Sequence, residues 1–166
     1  MNYLIQAFAC LPHKGGEYAV SWGWIIHLDK RVKDEDCIWV ASITLTEKDI
    51  KDFGLKHVRL IPIRGMEKWN FLDFNPLYYR IWQRKAYKEA KKLKIDVCHV
   101  YSLSDFRQPG DWWKLNCNTI FGPVGGGQEC PKVLLGYDSK SAKLRSTINF
   151  IQRFNPFFRY QIAKFS

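Results

Sequence analysis

Asn118-Thr119-Ile120-Phe121-Gly122-Pro123-Val124-Gly125-Gly126-Gly127-Gln128 carries a short β-type run into a proline-stiffened turn and then three consecutive glycines. The first four residues read as the end of a strand, which puts the glycine turn at the carboxyl edge of a sheet. Each glycine gives up more chain entropy on folding than any other residue, so three together imply positive φ angles or main-chain N–H groups that something must approach closely. In open α/β sheets that edge is where ligands bind. A tight strand-to-loop turn with no ligand is the other reading that the glycines alone leave open.

Outward from this stretch, apolar runs alternate with helical patterns, as in βαβ units, and predict a mainly parallel sheet. Asn2 to Ala9 reads as the first strand, followed by a loop through Leu11-Pro12-His13-Lys14-Gly15-Gly16 and a helix from about Glu17 to Lys30. Ala19, Trp22, Gly23 and Ile26 are expected to face inward on that helix. Cys37 to Thr44 is a second strand, and Thr44 with Glu47 has capping-box spacing for the short helix that follows. Lys56 to Ile63 is a third strand. A long aromatic loop then reaches Asn75-Pro76, a capping residue before a proline suited to a first helical turn.

The helix begun there is expected to run to about Lys94, with Tyr79, Trp82, Ala86, Ala90 and Leu93 recurring at three- and four-residue intervals. Ile95 to Tyr101 is a short buried strand. After the glycine turn a helix is expected from about Ser141 to Phe154, stopping at Asn155-Pro156. The pattern predicts an α/β, Rossmann-like, three-layer α/β/α fold over residues 1–166. With no further strand after the last helical pattern, the chain reads as a domain cut short at its C-terminal end.

Composition bounds the function classes. At 166 residues, 46% hydrophobic and 25% charged, the chain suits one folded domain and excludes wholesale disorder. The apolar run Tyr3–Cys10 is too short to span a bilayer and lacks a basic segment before it, so a cytoplasmic location is expected. The cysteines are odd in number and nowhere form C-x-x-C, which points to buried reduced thiols rather than disulfides or a zinc knuckle. The histidines show no ligand spacing with acids or thiols, and no metal is expected.

The net charge of +10 is concentrated on the helix containing Arg84 to Lys94 and on the segment from Lys140 to Lys164. In the second segment Phe150, Phe154, Phe157, Phe158, Tyr160 and Phe165 interleave with the bases. That pattern suits an anionic lipid surface, so the inner face of a plasma membrane is one expected partner. A helix pair with aromatics inside and bases solvated fits it as well. No groove-reading or stacking motif accompanies the bases, and nucleic acid is not expected. A dinucleotide-binding G-x-G-x-x-G after the first strand and a phosphate loop of the G-x-x-x-x-G-K-[ST] kind are both missing.

Four blocks together resemble the N-terminal, acceptor-side domain of GT-B retaining glycosyltransferases (glycosyltransferase family 4), which build bacterial exopolysaccharide, capsule and lipopolysaccharide. They are Gly15-Gly16-Glu17 through Ser21-Trp22; Trp82-Gln83-Arg84-Lys85-Ala86-Tyr87 with Ala90 and Leu93; Asp96-Val97-Cys98-His99-Val100; and Arg107, Pro109 and Gly122 to Gly127 with Pro131. The resemblance implies no cofactor, with a nucleotide-diphosphate sugar as substrate and a glycan or lipid-linked acceptor. It further implies donor-phosphate contacts at Gly15 and Gly16, and a catalytic role for His99. Acceptor contacts would fall to Glu17, Arg107, Gly125, Gly126 and Gly127.

The paired-glutamate motif of that family belongs to its second, donor-binding domain and has no counterpart here. A subunit carrying the donor domain is therefore a further implied partner. A catalytically inactive acceptor-side module, whether remnant or split subunit, stands as the alternative.

Overall fold

The computed structural model describes residues 1–66, 75–101, 103 and 108–124, together with 144, 147, 148, 151 and 156. The elements are β1 (Asn2–Gln6), α1 (Glu17–Asp29), β2 (Cys37–Ala41), α2 (Glu47–Asp52), β3 (Val58–Leu60), α3 (Pro76–Ala90), β4 (Val97–Val100), a 3-10 turn (Trp112–Lys114) and β5 (Asn118–Phe121). All strand pairs are parallel, in the order β3-β2-β1-β4-β5. The fold is α/β and Rossmann-like, as the alternating pattern predicted. Of the helix expected over 141–154, Leu144, Thr147, Ile148 and Ile151 are described, and all are helical.

Alternation along each strand divides the core in two. Leu4, Cys98 and Val100 point to one face, where they pack with Tyr78, Tyr79 and Trp82 of α3 and with Trp112 and Leu115. Ile5, Ile38, Val40 and Val58 point to the other, against Trp22 and Ile25 of α1 and Ile50 of α2. Connections from β1 toward β3 thus cross one face, and the connection from β4 to β5 crosses the other. The direction of winding reverses between β1 and β4, and the crevice at their carboxyl ends is where such folds place ligands.

The second face is unevenly covered. Register aligns Val40, Ile5, His99 and Ile120 in one row across β2, β1, β4 and β5. Exposure climbs along that row from 3% at Ile5 to 54% at Ile120. Helix α1 therefore shields β1 well and β5 poorly.

Several local expectations are corrected. The buried side of α1 is Tyr18, Ser21, Trp22, Ile25 and Asp29, whereas Ala19 is exposed and Gly23 and Ile26 are only half-buried. Thr44 does not cap α2, because its hydroxyl accepts from the Cys10 N–H and donates to the Cys10 carbonyl, both at 2.8 Å. Thr46 takes that role: its hydroxyl accepts from the Asp49 N–H, and the Asp49 carboxylate accepts from the Thr46 N–H in return.

The ladders are also shorter than the apolar runs. β1 and β2 stop at Gln6 and Ala41, after which Ser42 and Thr44 bond the loop beyond β1, and α3 stops at Ala90. Asn75 caps α3 as predicted, with its side-chain oxygen accepting from the Leu77 and Tyr78 N–H groups. The buried Asp29 carboxylate, which no sequence pattern signalled, accepts from the His57 N–H at 2.8 Å and sets the entry to β3.

Candidate functional site

The loop after β1 leads into α1 through Gly15 and Gly16, both exposed at the carboxyl edge of the sheet. Gly16 is the residue before the helix, at φ +68° and ψ −141°, a conformation that a side chain would strain. It carries no side chain with which to cap the first turn. A Cβ added at Gly15 would meet nothing within 4 Å, so no contact inside the described structure requires glycine there. The α1 N-terminus, with its partial positive charge, opens toward the crevice. Lys14 stands beside it with its ammonium 3.9 Å from the centre of the Tyr18 ring. Glu17, in the first turn, adds to the upward push on the Tyr101 phenol, for which burial is the main cause and which a hydrogen bond from Trp24 opposes.

His99 lies on β4, on the face shared with α1. Its Nε2 is 2.7 Å from the Gly122 carbonyl oxygen, so the first glycine after β5 is tied to the middle of β4. A carbonyl can only accept, which makes Nε2 the protonated nitrogen and leaves Nδ1 as an acceptor in the neutral ring. Trp24 meets the imidazole edge-on at 5.4 Å and Tyr101 does so at 5.3 Å. The indole is about half exposed. His99 therefore sits in a cup with two aromatic walls, paired across the sheet with the exposed Ile120 of β5.

Burial is the main influence on the His99 pKa and holds it below the ordinary histidine value, against an opposing pull from the Gly122 carbonyl. The unfolded chain then binds more protons than the folded one as pH falls through the ordinary value, near 6.5. The contribution of His99 to stability is thus full above that pH and is lost below it, down to the folded pKa. An NMR titration is expected to give a midpoint below 6.5 with the proton on Nε2 in the neutral form. The uncharged His99→Gln variant should lose that part of the acid sensitivity. A midpoint at or above 6.5 would remove this account.

Behind the cup, on the α3 face, lies a buried polar hub. The Tyr79 hydroxyl accepts from Gln6 Nε2 at 3.1 Å, from Gln83 Nε2 at 2.9 Å and from the Leu103 N–H at 2.9 Å. Gln83 also donates to the Gln108 carbonyl, and Gln6 Oε1 accepts from the Tyr101 N–H. These bonds tie β1, α3 and the segment after β4 together at the point where the winding reverses.

Of the residues singled out in the sequence, Gly15, Gly16 and Glu17 stand together at the start of α1. His99 contacts that helix two turns further along, through Trp24. Arg107, Gly125, Gly126 and Gly127 lie outside the described residues. Trp24, Tyr101 and the Tyr79 hub were not singled out as functional, although Trp24 had a signal: it is a tryptophan on the helix side opposite Trp22. Among the described residues no three His, Cys, Asp or Glu side chains are placed to hold a metal ion, and no helix is long and apolar enough to cross a membrane.

What the fold and crevice define is a doubly wound α/β domain with a helix N-terminus and an aromatic-histidine cup on one side of its sheet. Comparisons of the chain with protein-family models, with curated proteins and with solved structures find no match.

Proposed function

We propose that this chain is the acceptor-side half of a retaining glycosyltransferase, moving a sugar from a nucleotide-diphosphate sugar to a glycan or lipid-linked acceptor in bacterial polysaccharide synthesis. The observation that carries the reading is the glycine-built N-terminus of α1, open at the winding reversal and flanked by Lys14. The difficult part of such a transfer is charge separation, as the sugar becomes oxocarbenium-like and the diphosphate leaves. Fixed N–H dipoles and cations lower that barrier because they need no reorganisation during the reaction.

In this reading the N–H groups at Gly15 and Gly16 face the leaving diphosphate. His99, held neutral by burial, accepts a sugar hydroxyl proton at Nδ1 in a hydrogen bond and orients the ring. Trp24 offers an apolar wall to the C–H face of a sugar. Glu17, Arg107 and Gly125 to Gly127 contact the acceptor, and a second domain or subunit supplies the groups that grip the donor.

Amide NMR of the labelled chain, titrated with inorganic pyrophosphate and with UDP, tests this. Shifts confined to the Gly15–Tyr18 amides are expected, with a dissociation constant of about 1 mM for one isolated half-site. Gly15→Asp, which sets a carboxylate where nothing crowds it, should weaken binding about tenfold or more. Unmoved amides at about 10 mM of either probe would overturn the reading.

A further inference from the structure

Helix α3 carries its charge in a pattern that works against its own stability. Leu77, Arg80, Ile81, Arg84, Lys88 and Lys91 are all exposed, and they fall within an arc of about 100° on the side opposite the core. Arg80, Arg84 and Lys88 follow one another at intervals of four residues, so each neighbouring pair repels along the helix. The helix has no acid in its first turn, and Glu89 is taken by Lys92 at 2.6 Å. Among the described residues, the side chains of Arg80, Arg84, Lys88 and Lys91 have neither an ion pair nor a hydrogen bond. Lysines at a helix C-terminus complement its dipole, which accounts for Lys88 and Lys91 but not for Arg80 and Arg84, which precede the last turn.

Two apolar side chains share this face. Leu77 is 67% exposed and Ile81 36%, one turn apart beside the arginines. Past the helix end, Lys91 and Lys94 border a hollow of about 340 Å³ together with Lys114 and Asn116, so the positive face continues there. Lys114 is held by Asp111 at 2.6 Å. Bases alone would suit any polyanion. An exposed leucine and isoleucine set among them narrow the match to a surface that is anionic at its headgroups and apolar just beneath.

We propose that the outer face of α3 docks on an anionic lipid bilayer, with Arg80, Arg84, Lys88 and Lys91 at the lipid phosphates and Leu77 and Ile81 entering the boundary with the acyl chains. Helices α1 and α2 pack on the opposite face of the sheet, so the His99 cup looks away from the lipid. This face is separate from the aromatic-rich segment after Lys140, and lipid docking is independent of any chemistry in the crevice.

Cosedimentation of the full chain with vesicles tests it. Binding is expected to phosphatidylcholine vesicles containing about one third phosphatidylglycerol, and not to phosphatidylcholine alone. Arg84→Gln and Lys88→Gln should each lower the partition coefficient about fivefold, and the two together about 25-fold. Their effect should fade as salt screens the charges, whereas Leu77→Ser with Ile81→Ser should lower partitioning about tenfold at any salt. A thermal midpoint at or above that of the wild type is expected for Arg84→Gln and Lys88→Gln, since each relieves repulsion, and this separates lost docking from lost folding.

No binding to the anionic vesicles would overturn the proposal. So would binding that Arg84→Gln and Lys88→Gln leave unchanged and that Arg153→Gln with Arg159→Gln abolishes instead. Tighter binding to heparin than to the vesicles, unmoved by the changes at Leu77 and Ile81, would overturn it in favour of a soluble polyanion.

Discussion

Tyr79→Phe is expected to lower the unfolding free energy by about 2–4 kcal/mol. Phenylalanine keeps the ring, and with it the edge-on contact with Phe8 at 5.1 Å and the stacking on Trp82 at 5.8 Å. Packing is therefore held constant and the loss isolates the hydroxyl. Three donors, Gln6 Nε2, Gln83 Nε2 and the Leu103 N–H, lose their acceptor. Each costs about 1–3 kcal/mol if it stays dry, and the total is smaller because the amide side chains can turn and Leu103 is near solvent. Urea unfolding should show a lower midpoint at unchanged slope. Hydrogen exchange at Leu103 should quicken ahead of that in the β1–β4 ladder. A loss below about 0.5 kcal/mol would mean that the donors find other acceptors.

The second large effect is expected at Trp82, which is fully buried where Phe8, Tyr79 and α3 meet. Removing so large a core side chain costs about 3–5 kcal/mol. Its indole N–H, however, has no hydrogen-bond partner among the described residues, and deleting an unpaired buried donor returns about 1–3 kcal/mol. Cavity formation wins, and Trp82→Ala is expected to destabilise by about 2–4 kcal/mol. Trp82→Phe decides between the two contributions. It fills most of the space without the orphan donor, and should fall within about 1 kcal/mol of the wild type. Equal damage from both variants would show that the N–H has a partner in solution.

Legibility varied with how local the deciding interaction is. The start of α3 was readable because Asn75 and Pro76 act through bonds two and three residues away. Its core face was readable because Tyr79, Trp82, Ala86 and Ala90 stand out against charged neighbours. On α1 the inward face was misassigned because Val20, Trp24 and Ile26 are as apolar as Trp22 and Ile25, so periodicity has no polar side to set its phase.

The cap of α2 was ambiguous for a related reason. Thr44 with Glu47 and Thr46 with Asp49 share one spacing, and only the long-range claim of Cys10 on Thr44 separates them. In the candidate site, the glycine turn before α1 and His99 were visible as residue types. The bond from His99 to Gly122 spans 23 positions, and the Tyr79 hydroxyl serves partners on three separate segments. Apart from the bond from Gln83, four residues along the same helix, these leave no trace in local sequence, because they depend on which segments become neighbours.

The placement of two thiols has a practical consequence. Cys10 belongs to the packing on the α1 side and Cys98 to that on the α3 side, and both are free and fully buried. Burial pushes the Cys10 thiol up to about 12 and the Cys98 thiol well above its ordinary range, so neither reacts while its surroundings stay closed. Alkylation by iodoacetamide therefore waits for breathing. Mass-resolved labelling at the two sites times that breathing separately for each side of the molecule, with no engineered probe.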